Sequence, residues 1–105
     1  MLQDVVEYMR SLSTAEFDIV ESDVTCTVNK NTIYLLLRDT NGKYFDWHTI
    51  ISAAIHELAH VIDRVNGHSG TFFVILRHLE AIASAKYGYI CSFPTDPEYS
   101  RVCEK

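Results

Sequence analysis

The sequence predicts an α+β fold, a small antiparallel sheet with three helices in a single domain over residues 1–105. Three observations carry that expectation. Apolar residues recur at helical spacing in three separate stretches. β-branched and aromatic residues concentrate between positions 17 and 38, bounded by turn-like polar clusters. No repeat, linker or low-complexity tract divides the 105 residues, a length that suits one hydrophobic core.

Taken in order, Leu2, Val5, Val6, Met9 and Leu12 place an amphipathic helix over residues 2–12, broken by Ser13 and Thr14. Residues 17–38 then hold two strands joined by the turn Asn29-Lys30-Asn31, the second running Ile33–Arg38. Asp39-Thr40-Asn41-Gly42 is a second turn, with Asn-Gly the pair favoured in tight hairpins, and Lys43-Tyr44-Phe45 follows as a short third strand. Asp46 is placed to cap a helix that extends to about Asn66, with Gly67 available to end it in a left-handed conformation. Ile50, Ile51, Ala54, Leu58, Val61, Ile62 and Val65 form its apolar face. Ser69 caps a third helix, about Gly70 to Tyr87, ended by Gly88; from Tyr89 to Lys105 the chain is irregular, with Pro94 and Pro97.

Composition narrows the function classes. The hydrophobic fraction of 48% and charged fraction of 22% fit a soluble globular chain and not a disordered one. Fourteen acidic against nine basic residues give a net charge of -5, neither half of the chain is basic, and no Lys/Arg run exists. Strong intrinsic nucleic-acid binding is therefore not expected, nor is attraction to an anionic membrane. Cys26, Cys91 and Cys103 are an odd set without C-x-x-C spacing, which fits reduced intracellular thiols, with a Cys91–Cys103 bridge as the alternative. Asp4, Glu7 and Arg10 interrupt the first thirteen residues, so they do not make a secretion signal, and the apolar runs are too short to span a bilayer. The expected location is intracellular, cytoplasmic or nuclear, and not secreted.

The chemistry concentrates in His56-Glu57-Leu58-Ala59-His60. Two histidines four apart on a helix share one face a turn apart, so both neutral imidazoles can reach a single tetrahedral ion. Glu57 lies beside that ion without having to bind it, where it can take a proton from water and later give it to a leaving amine. H-E-x-x-H also arises by chance on amphipathic helices, but here it is embedded in a strong helix, and the apolar Leu58 and small Ala59 suit a helix crossing beneath a cleft. A catalytic zinc takes three protein ligands and leaves the fourth position to water. His68, after a chain reversal at Gly67, is the leading third candidate; Glu80, twenty residues past His60 on the next helix, is another. Asp63 shares the face of His60 and suits an outer acceptor for a ligand imidazole. His48 and His78 are better suited to solvent or capping. Tyr44, Tyr87, Tyr89 and Tyr99 could each donate to a developing oxyanion, and nothing in the sequence selects among them.

From Ile33 to Tyr89 the chain resembles the WLM and SprT-like (Spartan-type) zinc metallopeptidases. The resemblance rests on the strand Ile33–Arg38, the turn after it, the His56-Glu57-Leu58-Ala59-His60 helix, and Gly67-His68 followed by Phe72, which is similar to the family's H-G-x-x-F signature. Ala81-Ile82 to Gly88-Tyr89 resembles the small stand-alone members found in large DNA viruses. It implies a minimal zincin-like domain holding one Zn2+ through His56, His60 and His68, with Glu57 as general base. It also implies proteolysis of a protein substrate, with DNA-crosslinked protein the substrate class best known in the family. The chain departs from larger members in having Ser69 where a Gly is usual, and no basic extension or zinc-finger cysteines. Two other classes fit the residues: a zinc-binding interaction module without turnover, and a regulatory peptidase of the ImmA/IrrE type, which also carries a helical H-E-L-x-H.

Overall fold

The first helix, α1, spans Leu2–Arg10 and buries Val5, Tyr8 and Met9 on the face set by its helical apolar spacing. It is followed by β1 (Asp18–Ser22), β2 (Cys26–Val28), β3 (Thr32–Leu36), α2 (Trp47–Ile62) and α3 (Gly70–Tyr87). The structure, a computed structural model, describes residues 1–28, 31–63 and 70–89. These elements make an α+β domain with three helices and a three-stranded sheet.

The sheet is mixed, which corrects the all-antiparallel expectation. Its order is β1-β3-β2, with β3 in the centre. β2 pairs antiparallel with β3 (Val28 opposite Thr32), whereas β1 runs parallel to it on the other side, Asp18 opposite Thr32 through Ser22 opposite Leu36. The stretch expected as one strand is two, because the chain bends at Asp23 and Val24 and passes from one edge of β3 to the other. Thr25 makes the crossing tolerable: its buried hydroxyl accepts the backbone N–H of Leu36 at 3.0 Å, where a strand carbonyl would otherwise stand.

The expected third strand at 43–45 is also corrected. Lys43 and Phe45 do bond back across the turn, Asp39 N to Lys43 O at 2.8 Å and Phe45 N to Leu37 O at 2.9 Å, but only an isolated Arg38–Tyr44 bridge results. The turn is Asp39–Lys43, closed by Gly42 N to Asp39 O and by the Asp39 carboxylate accepting from Asn41 and Lys43. Gly42 sits at φ +81°, a left-handed conformation that explains glycine at this point.

The core lies where α2 crosses the sheet. Ile33, Leu35 and Leu37 alternate inward from β3 and its continuation and meet Ile50, Ile51, Ile55 and Leu58 of α2, all seven essentially without solvent exposure. Burying each such side chain is worth roughly 1.5–3 kcal/mol. α2 is enclosed because β2, β3, α1 and α3 all pack on it. Asp46 caps its start, its Oδ1 accepting from Thr49 N at 3.2 Å and its Oδ2 from the Thr49 hydroxyl. The helix stops at Ile62, about a turn before the expected Asn66, with Asp63 in an extended conformation. Asn66, Gly67 and Ser69, like Cys91, Cys103, Pro94 and Pro97, lie outside the described residues. Gly88 at φ +68° ends α3, as expected. No helix among the described residues is long and apolar enough to cross a membrane.

Candidate metal centre

The last two turns of α2 carry His56, Glu57 and His60. Helical geometry sets both imidazoles on one side, ring centroids 5.1 Å apart and planes inclined at 69°. Glu57 points from the neighbouring direction and is fully buried, His60 is buried, and His56 is half-buried. One donor atom from each of the three residues lies within 4.8 Å of the others. Imidazole nitrogens are donors that zinc takes at about 2.0–2.1 Å, so His56 and His60 are the pair that would hold an ion, with the Glu57 carboxylate next to it. The donor set fits the metal that the spacing implies.

Two further elements hold these side chains. Phe72, in the first turn of α3 and fully buried, stacks on His60 (centroids 4.3 Å, 30°) and meets His56 edge-on (4.9 Å, 63°). A ring wedged against both imidazoles limits their rotation, which orients their nitrogens in advance. From the sheet, the Thr27 hydroxyl of β2 donates to Glu57 Oε1 at 2.8 Å, and Thr27 Oγ1 also stands 3.2 Å from the Glu57 backbone carbonyl oxygen. Thr27 lies opposite Ile33 in the register, and Ile33 faces the core, so the pleat turns Thr27 toward α2. Next to it, burial pushes the Cys26 thiol pKa up, and the nearby Glu57 pushes in the same direction.

The other expected residues fall elsewhere. His68, the leading third ligand, lies outside the described residues, as does Tyr99. Glu80 is half-buried on α3 and Asp63 is buried just past α2, and neither belongs to the three-residue cluster. His78 is exposed. His48 sits two turns before His56, stacked on Tyr89 (5.4 Å, 20°) and 3.5 Å from Ser52 Oγ. The tyrosines are engaged away from the cluster: Tyr44 OH accepts from Arg38 at 2.9 Å, Tyr87 OH donates to Ser11 at 2.7 Å, and Tyr89 OH shares a hydrogen bond with Ser52 at 3.0 Å. Tyr8, stacked on Tyr87, has its phenol pKa raised by burial and by the neighbouring Tyr89 and Tyr87. Thr27 is the residue the sequence did not single out; its contact spans thirty positions, and only the strand pairing brings it to α2.

Two viral proteins are similar to the chain. Uncharacterized protein 042R of Invertebrate iridescent virus 3 is 42% identical over 72 residues, covering 68% of this chain and 45% of the viral protein. Uncharacterized protein 136R of Invertebrate iridescent virus 6 is 32% identical over 74 residues, covering 68% and 42%. The chain thus spans a little under half the length of these relatives. No family model and no solved structure matches it.

Proposed function

We propose that the chain is a zinc-dependent metallopeptidase of the WLM/SprT-like, zincin-like type, hydrolysing peptide bonds in a protein substrate. One observation carries this reading: a fully buried carboxylate, Glu57, lies with two imidazoles in a cluster whose donor atoms are within 4.8 Å of one another. Burying an ionisable side chain is costly, and such groups cluster where their chemistry is used. A site that held zinc only for structure would have no need for a base beside the metal.

In this reading His56 and His60 hold one zinc ion per chain, with His68 as third ligand. Zinc, when bound, lowers the pKa of water toward neutrality and polarises a carbonyl. Glu57 accepts the proton of the water as its oxygen bonds to the scissile carbonyl carbon. It then delivers that proton to the amide nitrogen as the C–N bond breaks, which returns the carboxylate to its starting state. Phe72 keeps the two imidazoles in place and shields their inner faces from water.

The substrate is a protein, and protein attached to DNA is the class that the family resemblance favours. With a net charge of -5 and no basic cluster, the domain would recognise the protein part of such an adduct and not the DNA. The test is a cleavage screen of zinc-loaded protein against free and DNA-crosslinked proteins, reading new termini by mass spectrometry, with zinc chelated and then restored. Cleavage that disappears on chelation and returns with zinc is expected. Full zinc occupancy with no new termini on any substrate would replace the peptidase with a zinc-binding interaction module.

A further inference from the structure

Resting on the peptidase reading, we infer that Thr27 is a positioning residue that aims the Glu57 carboxylate. A glutamate side chain has three torsions, and a base that swings through them is aligned with its water only part of the time. Here the hydroxyl of Thr27 donates to Oε1 at 2.8 Å and stands 3.2 Å from the carbonyl of the same residue. The one hydroxyl proton is directed mainly to the tip of Glu57, with the backbone carbonyl of the same residue close enough to share it. Fixing Oε1 also fixes the direction of Oε2, which is itself buried. The clamp comes from β2, whose pairing with β3 places Thr27 opposite the buried Ile33, so the sheet sets the aim of a group on the helix. The histidines are packed from a different element: Phe72 of α3 stacks on His60 and meets His56 edge-on. Aiming of the base and orientation of the ligands are thus assigned to two different parts of the fold.

The separation makes the inference testable. Thr27→Val preserves the β-branched shape and removes the donor, and Thr27→Ser restores a hydroxyl. Misplacing a reacting group by about 1 Å can cost on the order of 10²-fold, so Thr27→Val is expected to lower kcat by roughly 10–100-fold. KM should stay within about threefold, because a group acting in the transition state is lost and not one that binds substrate. The Kd for zinc should also stay within about threefold of wild type, and Thr27→Ser should recover most of kcat. A second measurement needs no activity: in zinc-free protein, a double-mutant cycle of Thr27→Val with Glu57→Ala, read by urea unfolding. It should show a coupling of about fivefold in the unfolding constant, as for an ordinary buried hydrogen bond. Should Thr27→Val disturb β2, Thr27→Ala carries the same comparisons. Wild-type kcat in Thr27→Val, or coupling below about twofold, overturns the positioning role while leaving the peptidase reading intact. A zinc-loaded wild type that cleaves nothing overturns that reading and the inference with it. Parallel loss of zinc affinity and kcat would show that Thr27 supports the whole site and does not aim the base.

Discussion

Replacing Phe72 should damage stability and zinc binding together, because one buried ring serves both. The side chain has no solvent exposure and packs against His60 at 4.3 Å, His56 at 4.9 Å and Phe73 at 5.3 Å between centroids. Phe72→Ala removes a whole ring from a site walled by α2 and α3, and such changes typically cost about 3–5 kcal/mol. A domain of this length has roughly 5–15 kcal/mol in total, so the Ala variant would be marginal. Phe72→Leu keeps much of the volume and loses mainly the ring–ring terms, about 0.5–1.5 kcal/mol for each of the three ring neighbours, so roughly 1.5–4.5 kcal/mol in all. With a urea slope on the order of 1–3 kcal/mol per molar, the Leu midpoint should fall by about 1.5 M in zinc-free protein. Zinc at about a hundred times its Kd stabilises the wild type by about 2.7 kcal/mol. Loosened imidazoles should weaken binding, and a tenfold weaker Kd would cut that increment by about 1.4 kcal/mol. Urea titrations with and without zinc read both effects. A Phe72→Leu variant with an undiminished zinc increment would refute the claim that this ring orients the ligands.

Other consequences are as direct. Asp46→Ala should cost about 1 kcal/mol by urea unfolding, the usual value of an N-cap. The Thr49 hydrogen bonds hold the Asp46 carboxyl below its ordinary pKa, so the cap's contribution is complete above that ordinary value. It is lost as the pH falls through the lower folded value, and the gap between wild type and Asp46→Ala should close over that acid range. His68→Ala should weaken zinc binding by more than the roughly 10–100-fold typical of outer-shell losses, with Glu80→Ala near wild type; the reverse would make Glu80 the third ligand. Binding of the domain to duplex DNA should be no tighter than about 10⁻⁴–10⁻⁶ M at physiological salt, and a nanomolar titration would contradict that.

What the sequence disclosed was local. The Asp46 cap, the four-residue spacing of His56 and His60, and glycine at 42 and 88 each follow from interactions within a few positions, and all appear where expected. Strand pairing is different, because β-branched residues mark a strand without marking its partner. The parallel β1–β3 pair therefore stayed hidden, as did the crossing at Thr25, where a side-chain hydroxyl takes a backbone acceptor's place. Helical periodicity continued through Val65 although α2 ends at Ile62, since an apolar pattern does not by itself state where hydrogen bonding stops. The paired histidines were visible because both lie on one helix. The Thr27 contact was not, because it depends on a sheet register thirty residues away.

The central claim is that Glu57 works beside the metal as a base and does not serve to hold it. The most direct measurement compares kcat for a cleaved protein substrate between wild type and Glu57→Gln, with zinc content determined on the same samples. Gln matches Glu in size and keeps an oxygen to accept from Thr27, but it cannot take up the water's proton. General-base catalysis contributes about 10²–10⁴-fold, so the variant should keep one zinc per chain and lose at least a hundredfold in kcat. A Glu57→Gln protein that retains zinc and cleaves at the wild-type rate would contradict the account.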